Sequence, residues 1–311
     1  MKIEQAKISV VVGTYNRAQI LRECINSLLN QSVNSQDYEV IIVDNNSSDE
    51  TEEMIFPYTK KYNNVFYFKE INQGSSSSRN TGIQKAHTPW IAFIDDDVRV
   101  GQDYIKRILY VINNCHFDCF GGVYIPWYEG NKPYWFKDEY VSNGRKTQKL
   151  EVLDEKKYVD LGNMVARKEC LMAAGCFSET IGIFGERRGY GEETLIQKKM
   201  RHLGYTIGFD PELIVEHLVP SYKFNPRWFL YSSYINGRDS WKAFGMRPNF
   251  FRILCSLFYG IILLLFKLPV VLVKLLSRDF HYQNFLIELL KLPAYSLGKV
   301  LQGIRTLGAR Q

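Results

Sequence analysis

The chain has 311 residues, enough to bury a full core with an appendage, and 46% hydrophobic against 23% charged residues excludes wholesale disorder. Its net charge of +6 is unevenly spread: from Tyr222 onward 13 Lys/Arg face three Asp/Glu (Asp239, Asp279, Glu288), a surplus of +10 that leaves residues 1–221 at −4. That split predicts an acidic catalytic part and a basic tail that seeks phosphate or an anionic membrane surface, and gives no reason to expect nucleic acid. The six cysteines are scattered, without a CxxC pair or a histidine cluster, so zinc is not expected and reduced, buried thiols are. The first apolar run is only residues 8–12, too short for a signal peptide, which predicts a front end in the cytoplasm.

Short apolar runs alternate with amphipathic stretches through the first two hundred residues. Residues 8–12 read as a buried strand, followed by a helix over 18–30 with Ile20, Leu21, Cys24 and Leu28 inward. A second strand is expected over 38–43, then a helix from about Ser48 towards Tyr62, with Ser48, Thr51 and Glu52 offering capping chemistry. Strands over 65–68 and 90–94 follow, with a helix near 76–86 between them. This alternation implies an α/β fold with a mostly parallel sheet covered on both faces. Ligands bind beyond the carboxyl ends of strands in such sheets.

Four strands deliver polar groups to that rim. They are Gly13-Thr14-Tyr15-Asn16-Arg17, Asp44-Asn45-Asn46-Ser47-Ser48-Asp49, Asn72-Gln73-Gly74 leading to Arg79-Asn80, and Asp95-Asp96-Asp97. Three successive carboxylates at a strand end need a positive partner. Alternation in an extended segment puts Asp95 and Asp97 on one side and Asp96 on the other. Two hard oxygen ligands suit a Mg²⁺ or Mn²⁺ that also binds a diphosphate; a solvated acidic turn is the plainer alternative. Asp44 can accept the imide N–H of a uracil, with Tyr15 stacked on the base, although an Asx turn explains the same residues. Arg79 is the candidate fixed cation for a donor. Glu192 and Glu193, reached through a glycine-rich loop from Gly185 to Gly191, can supply the base that a poor hydroxyl nucleophile requires; helix-dipole stabilisation explains them equally well. His217 can complete a metal shell, or simply pack in the core.

Taken in order, SVVVGTYNR, VDNNSSDET, NQGSSSSRNTG, FIDDD, GYGEET and VEH resemble the family 2 glycosyltransferases of the GT-A, Rossmann-like fold over roughly residues 7–245. The resemblance implies an inverting single displacement from a nucleotide sugar, usually a UDP-sugar, with Mn²⁺ or Mg²⁺. It implies nucleotide-sugar contacts at Thr14, Tyr15, Asn16, Arg17, Asp44, Asn46, Arg79, Asp95 and Asp96. It implies metal contacts at Asp97, Asp95 and His217, with Asp97 the more direct ligand, and a base at Glu193 or Glu192. It also implies a saccharide or lipid-linked acceptor. Two departures stand out: Asp44-Asn45-Asn46-Ser47 replaces the family's Asp-Asp-Gly-Ser, and Glu stands where its base is usually Asp. Asn163, in LGNMVARKE, resembles an acceptor-side segment.

Residues 253–266 form a fourteen-residue run without charge, followed by Lys267, Pro269 and a second apolar run to Val273. Fourteen residues favour an interfacial or re-entrant segment, and about 22 could cross a membrane if the runs join. Residues 285–292 and 297–304 carry helical apolar spacing with Lys291, Lys299 and Arg305 interspersed. A GT-A domain over 1–245 and a membrane-associating helical region over 246–311 are therefore expected. The protein is placed on the cytoplasmic face of the cell membrane, peripheral, monotopic or single-span, with homo-oligomerisation open. A processive synthase would carry Q-x-x-R-W, but Phe224 stands at the Gln position before Arg227-Trp228, and a dinucleotide oxidoreductase would carry G-x-G-x-x-G. A non-catalytic scaffold that kept a nucleotide site is the remaining alternative, against which the intact acidic residues argue.

Overall fold

The computed structural model describes residues 6–144, 146–185 and 187–309; Met1–Gln5 and Glu186 of the glycine-rich stretch lie outside the described residues. Among the described residues nine strands, β1 (Ile8–Thr14), β2 (Tyr38–Asp44), β3 (Val65–Lys69), β4 (Trp90–Asp95), β5 (Val98–Val100), β6 (Cys119–Tyr128), β7 (Glu151–Val152), β8 (Asn163–Arg167) and β9 (Ile207–Val219), form one sheet. The order is β3-β2-β1-β4-β8-β6-β9-β5, with β7 paired to β9. The half β3-β2-β1-β4 is parallel, as the sequence predicts. Beyond β4, antiparallel pairings of β8 with β4 and β6, and of β5 with β9, make the whole sheet mixed.

The parallel strands are continuous Val/Ile runs because both faces are covered. Ile8, Val10 and Val12 enter one core with α1 (Ala18–Leu29), α2 (Thr51–Lys61) and α4 (Tyr104–Asn114). Val11, Ile41 and Phe93 enter the other, against α3 (Ser75–Lys85), α5 (Lys168–Ala173) and α6 (Glu192–His202). Within α1 the buried positions are Leu21, Cys24, Ile25 and Leu28 at helical spacing, whereas Ile20 is only half-buried. The start of α2 differs from expectation. Asp49, not Ser48, receives the Thr51 N–H (3.1 Å), and its other oxygen receives the Ala18 N–H (3.2 Å). Ser48 instead donates its N–H to the Asn16 side chain (2.8 Å), tying the β1 loop to the β2 loop.

Asn45 explains the departure from Asp-Asp-Gly-Ser. Its amide donates to the carbonyls of Glu70 (3.3 Å) and Asn72 (2.7 Å), and its oxygen accepts the Gly74 N–H (2.7 Å). An aspartate there would turn a carboxylate oxygen towards two carbonyls. Asn45→Asp is therefore expected to cost about 1–3 kcal/mol, measured by chemical denaturation; an unchanged midpoint would remove Asn45 as the hub of these loops.

Three α-helices follow β9 among the described residues: α7 (Pro226–Ala243), α8 (Phe250–Lys274) and α9 (Tyr282–Gly308). The two predicted apolar stretches of 285–292 and 297–304 belong to the single helix α9, through Pro293. It packs against α7 so closely that a Cβ on Gly298 would stand 2.0 Å from the Tyr234 carbonyl oxygen and one on Gly237 1.9 Å from that of Tyr295. Gly298→Ala should thus overpack the seam and cost about 1–3 kcal/mol, with α9 becoming more sensitive to limited proteolysis; wild-type stability would refute the close approach. The two apolar runs around Lys267 are joined in α8, whose mean hydropathy reaches 2.3 and which is long and apolar enough to cross a membrane.

Candidate active site

The parallel register aligns the rim: Thr14 stands opposite Asp44, and Gly13 opposite Asp95. The strand β4 ends at Asp95, and Asp96-Asp97 form a turn into β5. The extended alternation predicted for the acidic triplet therefore stops one residue in, and its three carboxylates have different sets of partners. Asp95 Oδ1 meets Arg79 at 3.0 Å. Asp96 is buried, receives the Thr14 hydroxyl at 2.8 Å and pairs with Arg17 at 2.8 Å. Asp97 meets His217 Nε2 at 3.4 Å and shares Arg17 at 3.2 Å.

Burial and the neighbouring Asp97, only partly offset by Arg17, push Asp96 up to about 6. Burial acts the same way on Asp97, but the hydrogen bond and charge of His217, with Arg17 and Lys223, outweigh it and hold that carboxyl well below its ordinary range. His217 reaches this corner because β9 pairs with β5 in a register that sets it opposite Val98, the residue after Asp97. The Tyr124 ring from β6 stands edge-on to it at 5.5 Å.

Arg79 links this rim to the second acidic group, since its guanidinium contacts Asp95 and, at 3.4 Å, Glu192 Oε1. Gly191 starts α6 at φ 102°, a left-handed turn suited to glycine, and sets both glutamates in the first turn. Glu192 is buried, receives the Ser75 hydroxyl at 3.3 Å, and keeps one buried oxygen, Oε2, without a partner among the described residues. Glu193 is half-buried. Burial and the charge of Glu192 raise its carboxyl to about 8.

The structure separates the remaining predicted residues into exposed and enclosed ones. Tyr15 is half-buried, and Asn16 and Asn46 are exposed in left-handed conformations on neighbouring loops. Asp44 is almost fully buried, accepting the Tyr67 hydroxyl (2.8 Å) and the Ser47 N–H (2.8 Å). The Asx-turn reading thus describes its present bonds. Thr14 is enclosed against Asp96. Asn163 is fully buried, bonded to Tyr104 (3.0 Å) and the Leu213 carbonyl (3.0 Å), so it serves the core and not an acceptor surface.

Lys223 was not visible as a site residue in the sequence. It follows β9 in a short turn, is buried, and lies near enough to Asp97 and Arg17 to feel both charges. Burial lowers its ammonium below the ordinary lysine value; Asp97 opposes this, and Arg17 and Arg188 add to it. Its one sequence signal was position, six residues beyond His217 on the same rim.

Among the described residues no three His, Cys, Asp or Glu side chains form a complete metal cage. Two donors of one octahedral ion lie about 3 Å apart for bonds of roughly 2.1 Å. The Asp97–His217 separation of 3.4 Å fits such a pair. These residues suit an ion that takes its other ligands from substrate phosphate and water, as Mg²⁺-type sites do.

The model of the glycosyl transferase family 2 matches residues 9–174, more than half of the chain. The chain belongs to glycosyl transferase family 2. Among its relatives is the glycosyltransferase AglE of Haloferax volcanii, 26% identical over 212 residues that make up 68% of this chain and 66% of AglE. Another is the GalNAc(5)-diNAcBac-PP-undecaprenol beta-1,3-glucosyltransferase of Campylobacter jejuni, 30% identical over 149 residues, 47% of either chain. The chain thus spans two-thirds or less of these relatives' lengths. In fold it is similar to S. aureus TarS 1-349 in complex with UDP-GlcNAc (TM-score 0.57, 20% identity, 74% of this chain and 65% of that one). It is similar also to the mannosyltransferase PcManGT from Pyrobaculum calidifontis in complex with GDP-Man and Mn²⁺ (TM-score 0.55, 13% identity, 99% and 76%). These structures share the GT-A fold with this family 2 chain.

Proposed function

We propose that this family 2 transferase moves a sugar, with inversion, from a nucleotide-sugar donor to a hydroxyl of a saccharide or lipid-linked acceptor at a membrane surface, in the synthesis of a cell-surface polysaccharide or glycoconjugate. The observation that carries this reading is the pairing of two differently charged corners on one rim. Asp97, His217, Arg17 and Lys223 form a corner suited to a diphosphate and its cation, and Arg79 ties that rim to Glu192, the neighbour of Glu193 on α6. UDP is the proposed nucleotide, with Asp44 and Tyr15 on the base side and Asn16 and Asn46 on the exposed loops. The UDP-GlcNAc complex of TarS supports this, while the GDP-Man complex of PcManGT shows that the fold itself does not choose.

In the proposed reaction Glu193 takes the proton from the acceptor hydroxyl as that oxygen attacks the anomeric carbon and the bond to the diphosphate breaks. Glu192, held by Arg79 and Ser75, positions the start of α6. Arg17 and Lys223 offer positive charge to the departing diphosphate. A Mn²⁺ or Mg²⁺ ion held by Asp97 and His217, with Asp95 in reserve, would neutralise further charge there.

The helices support a membrane-associating region over 246–311 beside a catalytic unit over 1–245. The long helix α8 runs antiparallel along α9, from Ile253 against Gly303 to Lys267 against Glu288. A spanning α8 would pull the charged groups of its neighbour into hydrocarbon, which favours a helix lying in the interface. The cytoplasmic face is the proposed location. Thermal-shift screening of nucleotide sugars, followed by donor hydrolysis with and without Mn²⁺, tests the assignment. One UDP-sugar should raise the melting midpoint in proportion to the logarithm of its excess and be turned over only with metal. Silence across the panel under both conditions would favour a scaffold.

A further inference from the structure

A cleft of about 780 Å³ lies away from the acidic rim, between residues 132–140, Lys267 of α8 and the first half of α9. Four lysines line it: Lys132, Lys137, Lys267 and Lys291. Three carboxylates, Asp138, Glu139 and Glu288, share the lining, and two of them are taken up by Lys132, Lys137 and Lys274. Asp138 pairs with Lys132 at 2.7 Å, and Glu288 is shared by Lys137 at 3.3 Å and Lys274 at 2.6 Å. Among the described residues Lys267 reaches only the Glu288 carbonyl oxygen (3.3 Å), and the Lys291 ammonium has no hydrogen-bond or ion-pair partner. Burial and then the Lys267 charge lower the Lys291 ammonium below its ordinary value.

The wall is preformed. Fully buried Asn284 donates to the Trp135 carbonyl (2.7 Å) and the Tyr140 hydroxyl (2.8 Å), fixing the 132–140 segment on α9. The apolar surface of α8 begins at its edge, where Phe266, Val270 and Val273 are exposed on either side of Lys267. We propose that Lys267 and Lys291, flanked by Lys132 and Lys137, form a binding site for the phosphate group of a membrane lipid whose acyl chains lie along α8. An ammonium pair with a hydrocarbon-facing helix beside it matches a phosphate joined to an apolar tail, whereas a free phosphate would gain nothing from that helix. This inference rests on the interfacial reading of α8.

The test is co-sedimentation of the full chain with phosphatidylcholine vesicles, with and without phosphatidylglycerol. Lys267→Gln/Lys291→Gln is compared with an equal charge loss on α2, Lys60→Gln/Lys61→Gln, and with Lys267→Arg/Lys291→Arg. The glutamine pair in the cleft should weaken binding to the anionic vesicles about 25-fold, taking roughly fivefold per lysine near the surface. The α2 pair should change it less than about threefold, since charges distant from the bilayer are screened within roughly a Debye length, and the arginine pair should restore it. Equal losses from both glutamine pairs would leave only diffuse attraction and overturn the site. Stabilisation of the wild type by inorganic phosphate, abolished in the cleft variant while vesicle binding is unchanged, would overturn the lipid as its source. No binding of the wild type to anionic vesicles would overturn the interfacial reading along with the site.

Discussion

Asp97→Asn is expected to lower kcat on the order of a thousandfold while leaving a folded protein. The carboxylate stands in the corner that also holds His217 at 3.4 Å and Arg17 at 3.2 Å. An asparagine keeps an oxygen for Arg17, so the turn after β4 retains its hydrogen bond. What it loses is the negative charge that a divalent ion would share with the departing diphosphate. Turnover of the preferred donor, followed alongside circular dichroism and the melting midpoint, separates the two effects. Activity within tenfold of wild type, with metal dependence intact, would remove Asp97 from the proposed machinery.

The second large effect is expected at Glu193. Glu193→Gln should reduce kcat by about 10²–10⁴ while the donor KM stays within about twofold, because a base acts on the acceptor proton and contributes little to donor binding. The pH dependence offers a sharper test. Burial and then the charge of Glu192 raise the Glu193 carboxyl to about 8, so the protonated form persists through neutrality and kcat/KM of the free enzyme should climb with pH and level off above about 8. Glu192→Gln removes the neighbouring charge and should shift that limb to lower pH.

The stability change has a definite sign. A carboxyl raised in the folded state above its ordinary 4.5 favours folding below that pH and loses this contribution as pH rises towards about 8. Glu193→Gln should flatten this decline. If Glu192→Gln proves the more damaging change in kcat and Glu193→Gln leaves the ascending limb in place, the two roles are reversed.

The parallel half of the sheet and the polar rim were legible in the sequence because both follow from local rules. A short, β-branched run between turn-forming residues favours a covered strand, and parallel strands carry their following loops to one edge. Asp95, Asp96 and Asp97 were legible as a group for the same reason. The division of labour among them was not, because their partners come from different elements: Arg79 from α3, Thr14 from the end of β1, Arg17, shared by Asp96 and Asp97, from the loop after it, and His217 from β9. Asp44 shows the same limit, since Tyr67, 23 residues later, holds it through a neighbouring strand.

Composition and periodicity determined that this chain is an α/β protein with a charged strand-end rim and a basic, apolar tail. Tertiary structure alone decided that Lys223 joins the rim, that Asn163 belongs to the core, and that two apolar runs become one helix laid along α9. The reason is physical: strand and helix patterns report which face a residue occupies, whereas ion pairs, close glycine seams and pKa shifts depend on which distant side chains the fold places opposite it.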